Sequence, residues 1–253
     1  MGTPVWMRWR PLAVALIACF LAACGTTSTG RPGDFPPLPS DAGDDRAAPP
    51  VAVTTKGPHK FKHSTPSGRP VSFDPCRPIH YVINTANMPD KGADMVREAL
   101  DQISQASGFT FTDDGTTEEA VPTGERPPVQ ERYGDKWAPI MFAWADQAKV
   151  PALAGSGGLG VNYPISPSGP ESERYTTGMV VLNFRYFADW QTRRNGYQVT
   201  RASVMHLTML VLGLDDVGDR REVMGRSSTS DKLGPGDRQG LAMLGASPCY
   251  SDT

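Results

Sequence analysis

No excess of one charge marks this chain of 253 residues: its formal net charge is -2, with both signs scattered. Without residues 1–23, which carry Arg8 and Arg10 and no acid, the balance is -4. No basic run of useful length occurs, so nucleic acid is not an expected partner. No Gly-x-Gly-x-x-Gly turn opens a helix, and strand and helix patterns do not alternate, which argues against a doubly wound nucleotide fold. No internal repeat is visible. The longest apolar run, Pro11 to Ala23, is too short to span a bilayer as an ordinary helix. Cysteine and histidine are both scarce, at four residues each, which limits the metal sites the chain can build.

What is present begins with a targeting segment. Trp6 to Arg10 supplies a short basic region ahead of the apolar run, which ends in Leu21-Ala22-Ala23-Cys24-Gly25. Small residues before a cysteine match the bacterial lipobox, so residues 1–23 read as a lipoprotein signal peptide and Cys24 as the acylated N-terminus. The alternative is a plain secretory signal cleaved nearby, with Cys24 incidental. Acylation places the protein outside the cytoplasm, with the cell membrane as a partner through Cys24. Cys19 lies in the removed segment, so Cys76 and Cys249 remain. An oxidising compartment favours a bridge between them; two buried thiols are the alternative.

Residues 24–73 are rich in Gly, Ser, Thr, Pro and Asp, with almost no apolar periodicity, and read as a disordered tether. His59 and His63, four apart, sit among Pro58, Lys60 and Lys62, which disfavours both a helix and a bound cation. The folded domain is expected over 74–253. Ile79 to Ile83 reads as a strand. Asp90 is the expected cap of a helix over 91–107, with Val96, Leu100 and Ile103 on one face. Phe109 to Thr112 reads as a second strand, followed by a polar loop to Tyr133, and Pro139 to Ala145 as a buried third. The glycine-rich stretch Gly155 to Tyr163 ends in a short strand, and Met179 to Phe184 forms another. A helix over 199–214 and a short one over 236–244 complete an α+β domain with helices on a mixed sheet.

The richest stretch runs from Val204 to Asp216. Against the zinc-protease pattern His-Glu-x-x-His-x-x-Gly-x-x-His/Asp, His206 takes the first ligand position, Gly213 the turn glycine and Asp216 the third ligand position. Leu207 stands at the general-base position and Leu210 at the second ligand position. A leucine has no lone pair for zinc and cannot accept a proton. Residues 206, 210 and 213 share one helical face. Beyond the turn, Arg221-Glu222-Val223-Met224-Gly225 offers a methionine, and Leu233-Gly234-Pro235-Gly236-Asp237 opens the closing helix.

On these residues the chain resembles the metzincin zinc proteases, in their bacterial matrixin-like branch. Asp74 to Tyr81, Asp113 to Thr117 and Tyr133 to Pro139 extend the resemblance over roughly 74–249. It implies a twisted mixed sheet with an active-site helix below it, a methionine turn at Met224, and a cleft along an edge strand for an extended peptide. It assigns His206 and Asp216 as zinc ligands in a set that is vestigial here, and no catalytic residue survives. No cofactor is then expected. The implied function is a lipid-anchored pseudoprotease that binds a peptide or an envelope protein. The competing readings are an active zinc endopeptidase with an atypical ligand set, and a purely structural lipoprotein.

Overall fold

A computed structural model describes residues 45–250, apart from 123 and 135. The lipidation candidate Cys24 and the signal segment lie outside the described residues. Five strands, β1 (Ile79–Asn84), β2 (Phe111–Thr117), β3 (Ile140–Ala145), β4 (Gly158–Ile165) and β5 (Arg174–Asn183), make one sheet in the order β2-β1-β3-β5-β4. All pairings are parallel except that of β4 with β5, which is antiparallel and leaves β4 at one edge. Among the described residues four α-helices accompany it: α1 (Gly92–Ser107), α2 (Phe184–Gln191), α3 (Gly196–Leu212) and α4 (Pro235–Gly245). The domain is thus α+β, with a mostly parallel mixed sheet. No helix among the described residues is long and apolar enough to cross a membrane.

The main core lies between the sheet and the helices. Ile140, Phe142 and Trp144 of β3 face it, with Tyr81, Val180 and Leu182 from neighbouring strands. Met141, Ala143 and Ala145 face a smaller cluster with Val121, Val150 and Leu153. Because both faces of β3 are covered, its six residues are all buried and its sequence runs apolar without alternation. Helix α1 buries Val96, Leu100 and Ile103 as its periodicity dictates, and α3 packs beside it.

Several boundaries move. Asp90 does not cap α1; Lys91 precedes the helix in a left-handed conformation without a side-chain cap. The second strand starts at Phe111 rather than Phe109 and runs through the polar Asp113-Asp114-Gly115, because pairing with β1 supplies the backbone bonds that side-chain pattern does not advertise. Helix α2 has no counterpart among the expected elements. Asn183 closes β5 and at once caps α2, its side chain accepting N–H bonds from Arg185 and Tyr186, so no loop separates the two elements.

The tether also ends earlier than its composition suggests. Val71 is fully buried, Phe73 pairs with Tyr175, and Phe61 pairs with Leu214. The Lys62 N–H donates to the Gly213 carbonyl at 2.9 Å, and the Tyr175 N–H to the Ser72 carbonyl at 3.0 Å. Isolated residues in an irregular run make these contacts, so no periodicity signals them. His59 stacks edge-on to Phe61, while the exposed His63 meets the Tyr175 hydroxyl at 3.3 Å. Cys76 and Cys249 are disulfide-bonded, with Cα atoms 5.4 Å apart across a sequence separation of 173.

Candidate functional site

Helix α3 carries His206 on its partly exposed side and ends at Gly213, whose φ of 116° turns the chain back and positions Asp215 and Asp216. His206 Nδ1 lies 2.9 Å from the Val223 carbonyl oxygen. A carbonyl only accepts, so Nδ1 carries the proton and Nε2 looks the other way. Nε2 lies 3.1 Å from Asp216 Oδ1, which is buried and receives no hydrogen bond among the described residues. The other Asp216 oxygen is 3.7 Å from Arg226 Nε. The two expected ligands therefore meet, although they lie ten positions apart.

The ligand positions that lack a donor are packed. Leu207 is 7% exposed and belongs to the main core, with Leu210 partly buried against it. Both lean on β4, and two glycines there make room. A Cβ at Gly158 would fall 2.4 Å from Leu207 Cδ1, and one at Gly160 would fall 2.4 Å from the Leu207 carbonyl oxygen. The glycine-rich stretch thus serves close approach of helix to strand. Asn162, next along β4, donates its amide to the Leu210 and Val211 carbonyls at 3.3 and 3.1 Å, satisfying the end of α3.

The turn that carries Met224 is clamped from α4. Asp237 is almost wholly buried, and its carboxylate accepts N–H bonds from Val223 at 2.6 Å, Gly234 at 2.9 Å and Met224 at 3.1 Å. Burial pushes the Asp237 carboxyl up despite these bonds, and neighbouring Glu222 adds to the effect. Glu222 accepts from the Asp237 N–H at 2.9 Å, and the Gly225 N–H closes the turn on the Glu222 carbonyl at 3.0 Å. Met224 is 2% exposed and is packing material in this turn. The sequence pattern did not single out Asp237 as a site residue. Its signal was its place at the third helical position behind Gly234 and Pro235, where an acid reaches back to free N–H groups.

Lysines from the supposed tether border the same site. Lys60 pairs with Asp215 and gives it a strong hydrogen bond, which holds that carboxyl below its ordinary range. Lys62 Nζ approaches the Gly160 carbonyl at 3.4 Å. Burial lowers its pKa, while the charges of Asp215 and Asp216 pull it back up. Positive charge thus already stands beside the two aspartates.

The donor set falls short of a zinc site. Zinc takes three or four protein ligands, and here one imidazole and one carboxylate converge. The one group of three potential donors among the described residues is Asp74, Cys76 and Cys249, whose sulfurs are consumed by the disulfide. His80, on β1, binds Asp114 through Nδ1 at 2.8 Å. Asp215, the carboxylate next to Asp216, is held by Lys60. No known family model matches the chain, and no curated protein matches it significantly.

Proposed function

We propose that this is a lipid-anchored, extracytoplasmic protein of matrixin-like type that binds a peptide or protein partner and does not cleave it. The observation that carries the reading is the meeting of His206 and Asp216 at 3.1 Å with leucines where the second imidazole and the base belong. Apolar replacement suits a fold that has given up its metal: burying a leucine contributes about 1.5–3 kcal/mol, and the glycines of β4 accommodate both side chains. The edge position of β4 supports the binding half of the proposal, because an extended peptide can add to such an edge by main-chain pairing.

The test is metal analysis of purified protein together with casein cleavage. The proposal expects substoichiometric zinc and no cleavage. Near-stoichiometric zinc with chelator-sensitive cleavage would overturn it. Crosslinking in the native envelope tests the partner; a specific peptide or protein adduct is expected, and its absence argues for a purely structural lipoprotein. One observation favours the alternative of an active zinc endopeptidase with an atypical ligand set. Asp216 Oδ1 is buried without a hydrogen bond and faces an imidazole nitrogen, as two ligands of one cation would.

A further inference from the structure

Away from the His206 helix, the start of β1, the start of β5 and the loop before β3 enclose a cavity of about 190 Å³. Neither His206, Leu207, Leu210, Asp215 nor Asp216 lines it, so what it holds is independent of the degenerate motif. An apolar cavity of about 150 Å³ already accepts benzene, whereas drug-sized ligands occupy sites of roughly 300–1,000 Å³. This cavity has room for a single ring with a short substituent.

Its walls are fixed before any ligand arrives. The Ile79 N–H donates to the Thr110 carbonyl at 2.8 Å, which holds the β1 side. The Tyr175 N–H donates to the Ser72 carbonyl at 3.0 Å, and the rings of Phe73 and Tyr175 lie 6.0 Å apart. The Cys76–Cys249 disulfide anchors the stretch between Phe73 and Pro78. On the side of the loop before β3, the Tyr133 hydroxyl donates to Glu119 Oε2 at 2.6 Å, Trp137 pairs with Val129, and the Ala138 N–H donates to the Pro128 carbonyl at 2.8 Å. Preformed walls spare a ligand the cost of ordering them.

The charged groups of the lining are engaged within the protein. Arg77 binds Asp74 through Nε at 3.3 Å and the Tyr250 carbonyl through Nη2 at 3.2 Å. Asp74 also accepts the Cys76 and Tyr250 N–H groups at 2.8 and 3.3 Å. His80 and Asp114 hold each other at 2.8 Å. Arg174 is wholly buried, donates to the Ser172 carbonyl at 3.0 Å and lies 4.3 Å from the centre of the Tyr250 ring. Lys136 is exposed and stays hydrated. A charged ligand would shed its water here to meet groups that already have partners, and burying an unpaired charge is costly. A neutral ring loses little hydration and meets Phe73, Ile79, Tyr133, Trp137 and Tyr175. We propose that this cavity binds a neutral aromatic ring.

Benzyl alcohol, phenylacetate and phenethylamine share a ring and differ in charge, and N-acetyl-phenylalaninamide carries the same ring on a peptide backbone. Titration of each into the full chain, followed by NMR, tests the proposal. Saturable binding of benzyl alcohol is expected, with shifts centred on Ile79, Trp137 and Thr176. The acid and the amine should each bind at least about tenfold more weakly. Trp137→Leu should weaken benzyl alcohol by roughly fivefold. Lys136→Glu, at an exposed position, should change its affinity by less than about twofold. Binding of the amide as well assigns the ring to a partner's side chain, and exclusion of the amide assigns it to a free small molecule. Failure of both neutral probes to saturate would overturn the proposal, as would equal binding of the acid or the amine. Shifts centred away from the cavity would overturn it too, a measurement that stands even if Trp137→Leu fails to fold. None of these outcomes depends on zinc or cleavage at the His206 helix.

Discussion

The carbonyl oxygen of Val223 accepts the Nδ1 proton of His206 at 2.9 Å, while the N–H of the same residue donates to Asp237 at 2.6 Å. One peptide on either side of Val223 thus ties the α3 imidazole to a buried carboxylate on α4. The ring's tautomer and direction follow from a turn that neither helix contains. The aspartate that builds the turn is as much a part of the site as the residues that face each other in it.

Replacing Asp237 by Ala should leave three backbone N–H groups without their acceptor, and unsatisfied buried donors cost about 1–3 kcal/mol each. Relaxation of the turn will recover part of that. Urea unfolding should show a loss of roughly 3 kcal/mol or more, and the His206 ring signals should broaden or shift in NMR. A variant as stable as the parent with an unmoved imidazole would show that the clamp is not what positions the ring.

The close approach of α3 to β4 makes two glycines differ in a measurable way. Gly160→Ala would place its Cβ against the Leu207 carbonyl, which cannot move without the helix; overpacking of this kind costs about 1–3 kcal/mol. Gly158→Ala meets Leu207 Cδ1 first, with the Val181 carbonyl behind it at 2.7 Å. In a Leu207→Ala background the Gly158→Ala penalty should shrink and the Gly160→Ala penalty should not. Equal rescue of both in a double-mutant cycle would contradict the packing described.

Acid sensitivity should trace to Glu119 and Arg126. Arg126 is buried and binds Glu119 through Nε and Nη2 at 2.7 and 2.8 Å, while its Nη1 holds the Pro139 carbonyl and Thr177 at 2.9 Å each. Burial raises the Glu119 carboxyl, but hydrogen bonds from Arg126, Tyr133 and Gln130 outweigh it, and the net shift is downward. A carboxyl depressed by folding contributes stability above its unfolded pKa of about 4.3. That contribution is lost as pH falls through the lower folded value. Glu119→Gln should cost about 3–5 kcal/mol at neutral pH, because it strands a buried guanidinium. The gap from the parent should close as pH drops below about 4. Unfolding curves that stay parallel down to low pH would rule out this pair as the source.

The frame of the degenerate motif can be tested by restoring it. Leu207→Glu with Leu210→His supplies the base and the second imidazole that the zinc-protease pattern requires. Zinc affinity by calorimetry should rise well above that of the parent, at a cost in stability from burying the new glutamate beside β4. No gain in affinity would mean that the side chains at 206, 210 and 216 do not converge on one point.

Much of the fold was legible because periodic burial leaves a mark on the chain. Helix α1 kept its apolar face at Val96, Leu100 and Ile103, and β3 showed its double burial as an unbroken apolar run. Phe61, Val71 and Phe73 read as tether because each meets the core alone, from a stretch with Pro, Gly and Ser around it. Helix α2 leaves no separate signal because Asn183 is both the last residue of a strand and the cap of a helix. Asp237 reads only as part of a helix start, since a carboxylate that accepts backbone N–H bonds from another segment looks like any other acid in sequence.

By itself the sequence determined the order of elements apart from α2, the residue types available at the site and the absence of donors at 207 and 210, because these depend on local pattern and side-chain chemistry alone. Tertiary structure alone decided that His206 and Asp216 touch and that Lys60 and Lys62 return to border them. These contacts come from segments far apart in the chain being brought within a few ångströms. Such proximity is set by the packing of the whole core and by the left-handed turn at Gly213, and no local window contains it.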